Sequence, residues 1–496
     1  MTNLVICCDG TWNTPEQEDQ GRPAPTNVFK LHGAINEPEI NRYYREGVGT
    51  SGGLWSRLKG GGLGVGLSND IKSAYRWLCN NYSSGDSRIF LFGFSRGAYA
   101  VRSLAGLVGQ IGILDFADVQ SEDEKWAQVE QAYQAYRTSH KRRRVTSSNL
   151  KRHTGVEIAF LGVWDTVGAL GIPDELPFNI LDRPQRFQFH DTKLGPHVKV
   201  ARHALAIDER RQAFSPTLWS SHAISQDVKQ EWFAGVHGDV GGSYAESGLG
   251  DVTLDWMIKE AQAQGLAFKP YAVSQVSPDP AGILHNSVKG FYAKLRTRPR
   301  SVPGMDAPFV HPSARERAKS PPLAQPSYWT TVQLAAGEST QVDVFAAERW
   351  NETSLYLEKD VQYRFAAKGE WLDGTVRCTP NGPVPGFNPS KLIFGASAIS
   401  DWLQQRKRNR SGNLGAITVG ARREQDKPWL SLIGVVANGV GVDPASQILN
   451  PHETFKIGTG TSYTPKESGY LYCFGNDVWS FYFNNRGSLR LRVERE

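Results

Sequence analysis

Phe92-Gly93-Phe94-Ser95-Arg96-Gly97-Ala98 holds a Gly-x-Ser-x-Gly pentapeptide between an apolar run, Ile89 to Phe92, and a segment of helical character. A serine on a sharp turn between a buried strand and a helix presents its hydroxyl as a nucleophile, and the flanking glycines let strand and helix approach closely. Ala98, Ala100, Ala105 and Gly106 supply the small side chains such packing favours, which makes Ser95 the candidate nucleophile. A serine hydroxyl is weak at neutral pH unless a histidine takes its proton and a carboxylate orients that histidine. The chemistry to look for is therefore hydrolysis of an ester by a serine, a histidine and an acid.

Two later apolar runs offer the partners. Glu157 to Trp164 leads into Asp165-Thr166-Val167-Gly168, and Glu231 to Val236 leads into His237-Gly238-Asp239-Val240-Gly241-Gly242. Side chains leaving the C-terminal ends of buried strands sit on the rim where sites form, so Asp165 is the candidate acid and His237 the candidate base. The order Ser, Asp, His is that of α/β-hydrolases. Asp165 also reads as a simple cap of its turn. His203, His222, His285 and His311 compete with His237. Leu284-His285-Asn286-Ser287 and Val310-His311-Pro312-Ser313 are the main rivals, and if either supplies the base, Asp239 becomes the acid. At the N-terminus, Asn3 to Cys8 reads as a short strand and Asp9-Gly10-Thr11-Trp12-Asn13 as the turn after it. Backbone N–H groups at Gly10 or Thr11, with that of Arg96, would face a tetrahedral oxyanion. The same turn also reads as an ordinary one held by its aspartate.

The elements that must carry these residues divide the chain. Its 496 residues exceed the roughly 250 to 300 at which one core stops growing, so two domains are expected, 1–335 and 336–496. The seam is the proline-dense stretch from Pro299 to Tyr328, poor in apolar periodicity. In the first part, Gly47 to Thr50 and Gly60 to Gly66 precede a helix over Asn69 to Leu78; the Gly-Lys-Ser/Thr ending of a nucleotide cradle is missing, which leaves a loop near the site. Gly52-Gly53-Leu54-Trp55 and Ile172 to Phe178 are candidate lid surfaces. In the second part, Thr340 to Val344, Gln362 to Ala366, Leu430 to Val436, Gly469 to Phe474 and Ser488 to Val493 are short β-branched and aromatic runs between turns, the pattern of an antiparallel sandwich. Trp479, Phe481, Tyr482 and Phe483 read as mostly core, since an alternating strand buries every second one, and Asn476-Asp477 with Asn484-Asn485 offers hard oxygen ligands suited to Ca²⁺.

Net charge is +6, from 56 Lys+Arg against 50 Asp+Glu, and suits an anionic lipid surface or solubility. Lys141-Arg142-Arg143-Arg144, after a helix over Glu122 to Thr138, reads as a solvated helix end or as a contact for phosphates of lipid or nucleic acid, and no aromatic interleaving supports an oligonucleotide site. No run of about 18 apolar residues occurs, and the N-terminal apolar run is too short for a signal peptide, so synthesis and folding in the cytoplasm are expected. Five cysteines give no disulfide framework, though a Cys378–Cys473 bridge stays open, and no Cys/His cluster has zinc spacing.

Four of these motifs, Cys8 to Asn13, Gly93 to Tyr99, Val163 to Gly171 and Trp232 to Gly242, together resemble the α/β-hydrolase domain of bacterial type VI secretion lipase effectors of the first type, over about residues 1 to 335. The resemblance implies a phospholipase that cleaves acyl esters of membrane glycerophospholipids. It also implies a triad on Ser95, Asp165 and His237, no cofactor for catalysis, delivery by a spike protein into the target-cell periplasm, and an immunity protein. Gly475 to Val493, with Trp371-Leu372-Asp373-Gly374, resembles the calcium-dependent galactose-binding lectins of bacteria. That likeness implies Ca²⁺ held by Asp477, Asn484 and Asn485 with Asp373 nearby, and a glycan partner; Phe481 stands where those lectins keep a threonine ligand. The expected architecture is an α/β-hydrolase fold followed by a smaller all-β sandwich. The rival reading is a non-enzymatic glycan- or partner-binding protein on a hydrolase-like scaffold.

Overall fold

The computed structural model describes all residues except Trp12, 48–61, 140–149, 169–192, 324–326, 385–421 and 442–448. Both candidate lids, the basic run 141–144 and most of the glycine-rich stretch lie outside the described residues. Six parallel strands form one sheet: β1 (Thr2–Cys8), β2 (Arg42–Arg45), β3 (Ser87–Phe94), β4 (Ile158–Trp164), β5 (Val198–Ala206) and β6 (Asp227–Phe233), in the order β6-β5-β4-β3-β1-β2. A parallel sheet is covered on both faces, and β1 shows how its sequence meets that demand. Leu4, Ile6 and Cys8 enter one apolar core with helices α2 (Gly62–Asn81), α3 (Arg96–Ile111) and α4 (Glu122–Ser139). Val5 and Cys7 enter the other, with α1 (Asn27–Ala34) and α6 (Gly248–Ala263).

From β1 the chain moves outward to β2, returns to β3 on the other side, and then proceeds steadily to β6. The strand order therefore reverses at β1 and β3, and the crevice beyond their C-terminal ends is where doubly wound sheets bind ligands. Ser95 leaves β3 there, and Asp9-Gly10 leaves β1 beside it. Two glycines make the junction possible. A Cβ on Gly97 would sit 2.1 Å from the Cys8 carbonyl oxygen, and one on Gly93 would sit 2.5 Å from the Gly97 oxygen.

The C-terminal part is antiparallel. One sheet runs through β11 (Val376–Thr379), β10 (Trp371–Asp373), β16 (Asn485–Arg495), β9 (Tyr363–Lys368) and β14 (Gly460–Tyr463), with a short strand at Gly382–Pro383 and β7 (Ser339–Phe345) paired to β16. The other has the order β8-β15-β12-β13, from β8 (Asn351–Leu357), β15 (Gly469–Gly475), β12 (Leu432–Val436) and β13 (Glu453–Lys456). The two face each other across one core that includes Phe365, Trp371, Leu432, Leu471, Cys473 and Leu491. Strands β12 and β15 are buried on both sides, which explains their unbroken apolar sequences: alternate residues Ile433, Val435, Tyr470, Tyr472 and Phe474 enter a further core with Leu205, Trp232, Leu249, Val302 and Val310.

The structure adds to three of these readings. The proline-dense stretch after Pro299 is closely packed: Arg300, Val302, Met305, Val310 and Arg317 are buried, Val310 bridges to Trp232 of β6, and Pro312–Lys319 is a helix. The aromatic cluster is only half core, because Tyr482–Asn484 is a 3-10 turn and not a strand; Trp479 and Tyr482 are buried, whereas Phe481 and Phe483 are exposed. Cys378 and Cys473 are both free, buried thiols.

Gly97→Ala drives a methyl group into the β1 backbone, and overpacking of a tight junction costs about 1–3 kcal/mol or more. A thermal midpoint several degrees lower is expected by calorimetry; an unchanged midpoint would contradict the junction described.

Candidate active site

Ser95 stands between β3 and α3 at φ 57°, ψ −120°, a backbone conformation that L-residues avoid and that only an over-determined turn holds. Its N–H donates to the Trp164 carbonyl at 3.0 Å, tying the turn to the end of β4. The next residue of β4's continuation, Asp165, also has positive φ, 37°. Two adjacent strand ends thus carry strained residues aimed at one crevice. The Ser95 side chain makes no hydrogen bond among the described residues; such contacts often form only when substrate is bound.

His237 opens the short helix α5 (His237–Gly241) after β6. Its Nδ1 lies 2.6 Å from Asp165 Oδ2, both groups being buried. The Phe94 ring, directly before Ser95, lies 4.6 Å from the imidazole and tilted against it, and Phe214 meets it edge-on at 5.0 Å. Burial among these rings lowers the His237 pKa below the ordinary histidine value, against the upward pull of Asp165. The shift favours the neutral ring, the state a proton acceptor needs.

Asp165 has no exposure, and each carboxylate oxygen is saturated. Oδ1 accepts from the Ala206 N–H at 3.1 Å and from Arg300 Nη1 at 2.6 Å; Oδ2 accepts from Arg300 Nη2 at 2.8 Å and faces His237. Burial alone would raise its pKa, but Arg300 and His237 outweigh burial and hold the carboxyl well below the usual range.

A second Asp–His pair sits nearby, made of the rival residues. Asp239 Oδ1 lies 2.6 Å from His285 Nδ1, and the His285 ring stacks on Tyr244 at 3.7 Å. Its electrostatics are opposite: burial works against the charge, but Asp239 and Glu246 outweigh it and raise the His285 pKa. His311 is structural, its Nδ1 accepting the Ser313 N–H at the start of its helix and burial lowering its pKa to about 4. His203 is sealed, with Nε2 accepting the Thr166 N–H at 3.1 Å beside Asp165. His222 is exposed.

Gly10 lies against the serine turn, its missing Cβ 3.1 Å from Ser95 Cβ. Its N–H, however, donates to Asp9 Oδ1 at 2.7 Å, and Asp9 is itself held by Thr26 and Tyr44. The aspartate-held turn therefore takes up the Gly10 N–H, which leaves the N–H groups of Thr11 and Arg96 from the expected donor set. Burial raises the Asp9 pKa to about 6.

Sequence reading missed Arg300 and Glu209. Glu209 accepts the His237 N–H at 3.3 Å and pairs with Arg211, whose guanidinium covers Phe214 at 3.6 Å. Neither stands in a motif. The signal for Arg300 was a charged residue inside an otherwise proline-rich segment, which composition reads as exposed.

In the C-terminal sheets the four expected metal ligands do come together. Asn484 Nδ2 donates to Asp373 Oδ1 at 2.7 Å, and Asn485 Nδ2 donates to Asp477 Oδ2 at 2.9 Å. Burial, then the nearness of Asp373 among other influences, moves the Asp477 pKa up to about 7. The Asn484 and Asn485 side-chain oxygens are buried and have no hydrogen-bond partner among the described residues. Amide and carboxylate oxygens are the hard donors that Ca²⁺ takes, and here each amide turns its N–H side to a carboxylate. Asn476, by contrast, is spent on backbone groups of 424–428.

An uncharacterised protein of Saccharomyces cerevisiae is 29% identical over 234 residues, covering 43% of this chain and 32% of its own length, so the chain spans about a third of that relative. The structure of the Tle1 effector bound to the VgrG spike of a type VI secretion system aligns at 18% identity over 49% of this chain and 51% of that one, with a TM-score of 0.29. The N-terminal domain of EclA, a PllA-like lectin, aligns at 17% identity over 32% of this chain and 95% of that one, with a TM-score of 0.19. The family model of the type VI secretion phospholipase effector Tle1-like catalytic domain matches residues 2–260. With just over half of its length under that match, the chain belongs to the Tle1-like phospholipase effectors of type VI secretion.

Proposed function

We propose that the protein is a serine hydrolase of the α/β-hydrolase type that cleaves acyl esters of membrane glycerophospholipids. One observation carries this reading: a serine at positive φ at the sheet's switch point, with a carboxylate-held histidine packed on the residue before it. Ser95 Oγ attacks the ester carbonyl as His237 Nε2 takes its proton. The backbone N–H groups of Arg96 and Thr11 stabilise the oxyanion. His237 then gives the proton to the leaving alcohol, and a water repeats the sequence in reverse to free the fatty acid. Asp165 stays ionised throughout and holds the imidazolium.

The substrate class rests on the family, which also supports delivery through a spike protein into a competing cell's periplasm and neutralisation by an immunity protein. The hydrolase part would span 1–335 and the lectin-like sandwich 336–496. No helix of the described residues is long and apolar enough to cross a membrane.

A second reading concerns the C-terminal sheets, where Asp373, Asp477, Asn484 and Asn485 would hold Ca²⁺. A bound ion there would supply positive charge to two close carboxylates and anchor points for sugar hydroxyls, with Phe481 in place of a further oxygen ligand.

Ser95→Ala should lower fatty-acid release from phospholipid vesicles by at least about 1,000-fold with an unchanged melting curve; retained release would sink the enzymatic reading and favour a binding protein. The pH dependence of kcat/KM separates the two Asp–His pairs. A base with a lowered pKa stays active down to more acidic pH, so His237 places the acid limb below the ordinary histidine value of about 6.5, whereas His285 would place it above. For the metal reading, millimolar Ca²⁺ should raise the melting temperature of the full chain and leave that of Asp477→Asn unmoved; no shift in the parent protein removes the reading.

A further inference from the structure

The acid of the proposed triad is held by a residue beyond the part of the chain that the family model matches. Arg300 is buried, its side chain 3% exposed, and it spends four N–H groups in one place. Nη1 donates to Asp165 Oδ1 and to the Ala206 carbonyl, each at 2.6 Å; Nη2 donates to Asp165 Oδ2 at 2.8 Å and to the Phe214 carbonyl at 2.6 Å. The fork fixes both carboxylate oxygens in one plane, which a lysine could not do. It also locks Phe214, whose ring packs on His237.

The segment that brings Arg300 here is fastened from the other side. Gly439 N–H donates to His452 Nδ1 at 2.9 Å, which leaves the His452 Nε2–H to donate to the Pro299 carbonyl at 2.9 Å. Arg298 Nη2 donates to the carbonyls of Gly439 and Asn450. Gly439, Asn450 and His452 connect β12 to β13 of the C-terminal sheet. The residue on each side of Pro299 therefore points into a different half of the molecule.

We propose that Arg300 is a positioning residue of the ester-cleaving site, carried to Asp165 by a segment that the C-terminal sheet clamps through Arg298 and Pro299. This inference rests on the reading of Ser95, His237 and Asp165 as the reacting groups. The C-terminal half is then part of the catalytic apparatus, and the matched region 2–260 lacks the group that sets its own acid.

The groups facing His237 are Asp165 and Glu209, which favour its charge, and Arg211, which opposes it, with Arg300 behind Asp165. Removing the Arg300 charge while Asp165 stays in place leaves the imidazolium better stabilised, so the acid limb of kcat/KM moves to higher pH. A role as mere scaffold predicts the reverse: Asp165 would drift from the ring, and the limb would move to lower pH.

The test compares Arg300→Met, Arg300→Lys, Arg298→Gln and Ser95→Ala in the full chain, on phosphatidylglycerol and phosphatidylethanolamine vesicles, with melting curves. Arg300→Met should lower kcat about 100-fold with KM within about twofold of the parent, and shift the acid limb upward. Arg300→Lys keeps charge without the fork and should lower kcat about tenfold with the limb unmoved; it decides the matter if the methionine variant does not fold. Arg298→Gln should lower kcat with KM unchanged. Parental kcat in both Arg300 variants, or a downward shift of the limb, overturns the role of Arg300; parental kcat in Arg298→Gln overturns the clamp. If Ser95→Ala keeps full activity, the triad reading fails instead, whatever the arginine variants do.

Discussion

A carboxylate with no solvent contact stays ionised only when protein groups replace its hydration, and Asp165 is where this fold meets that demand. Four contacts, two from Arg300 and one each from Ala206 and His237, take the place of water. Breaking a buried pair of this kind leaves an uncompensated charge and costs about 3–5 kcal/mol. The arrangement has an electrostatic consequence for the histidine. Because Arg300 already answers most of the aspartate's charge, Asp165 can orient the imidazole without forcing it to protonate, and burial between Phe94 and Phe214 keeps the His237 pKa below its ordinary value.

The Asp239–His285 pair gives an internal comparison. Geometry alone does not distinguish it, since its Nδ1 to carboxylate distance is also 2.6 Å. Among the described residues no arginine forks Asp239, whose Oδ2 accepts the backbone N–H groups of Val236 and His285, and Glu246 adds a second acid 3.6 Å from the far ring nitrogen. Two acids around one ring favour the charged form. Such a pair suits a structural tie between the loops after β6 and around 285, and the two pairs differ in which influence prevails: burial at His237, the two acids at His285.

Much of the parallel sheet and of the site was legible because strand ends and glycines leave strong local signals. The apolar runs at Asn3–Cys8, Ile89–Phe92 and Glu157–Trp164 fall on β1, β3 and β4, and the turn at Gly93–Gly97 could be read from the steric need for hydrogen in place of a methyl group. Strand β5 went unread although it lies inside the sheet, because Lys199, Arg202 and His203 break its apolar pattern; Arg202 is buried against Asp227 and Glu260, partners distant in sequence. Arg300 was illegible for the same reason. A buried cation is recognisable only through the anion it meets, and here 135 residues separate the two. The exposed Phe481 and Phe483 failed for another cause, since alternation applies only where the backbone is extended.

The same two-sidedness governs the junction of the halves. A strand buried on one face can belong to an independent sandwich, but β12 and β15 bury alternate residues in separate cores, one within the C-terminal sheets and one shared with β5, β6 and the segment after Pro299. Removing the C-terminal sheets would bare Leu205, Trp232, Val302 and Val310 together. Fully burying one large apolar side chain is worth about 1.5–3 kcal/mol, so a shared core of this size outweighs any single polar clamp across the junction. The segment bearing Arg298 and Arg300 is thus pinned twice, by hydrogen bonds at Pro299 and by apolar contact at Val302, before its guanidinium reaches Asp165. Precision at the acid then follows from burial on the far side of the sheet.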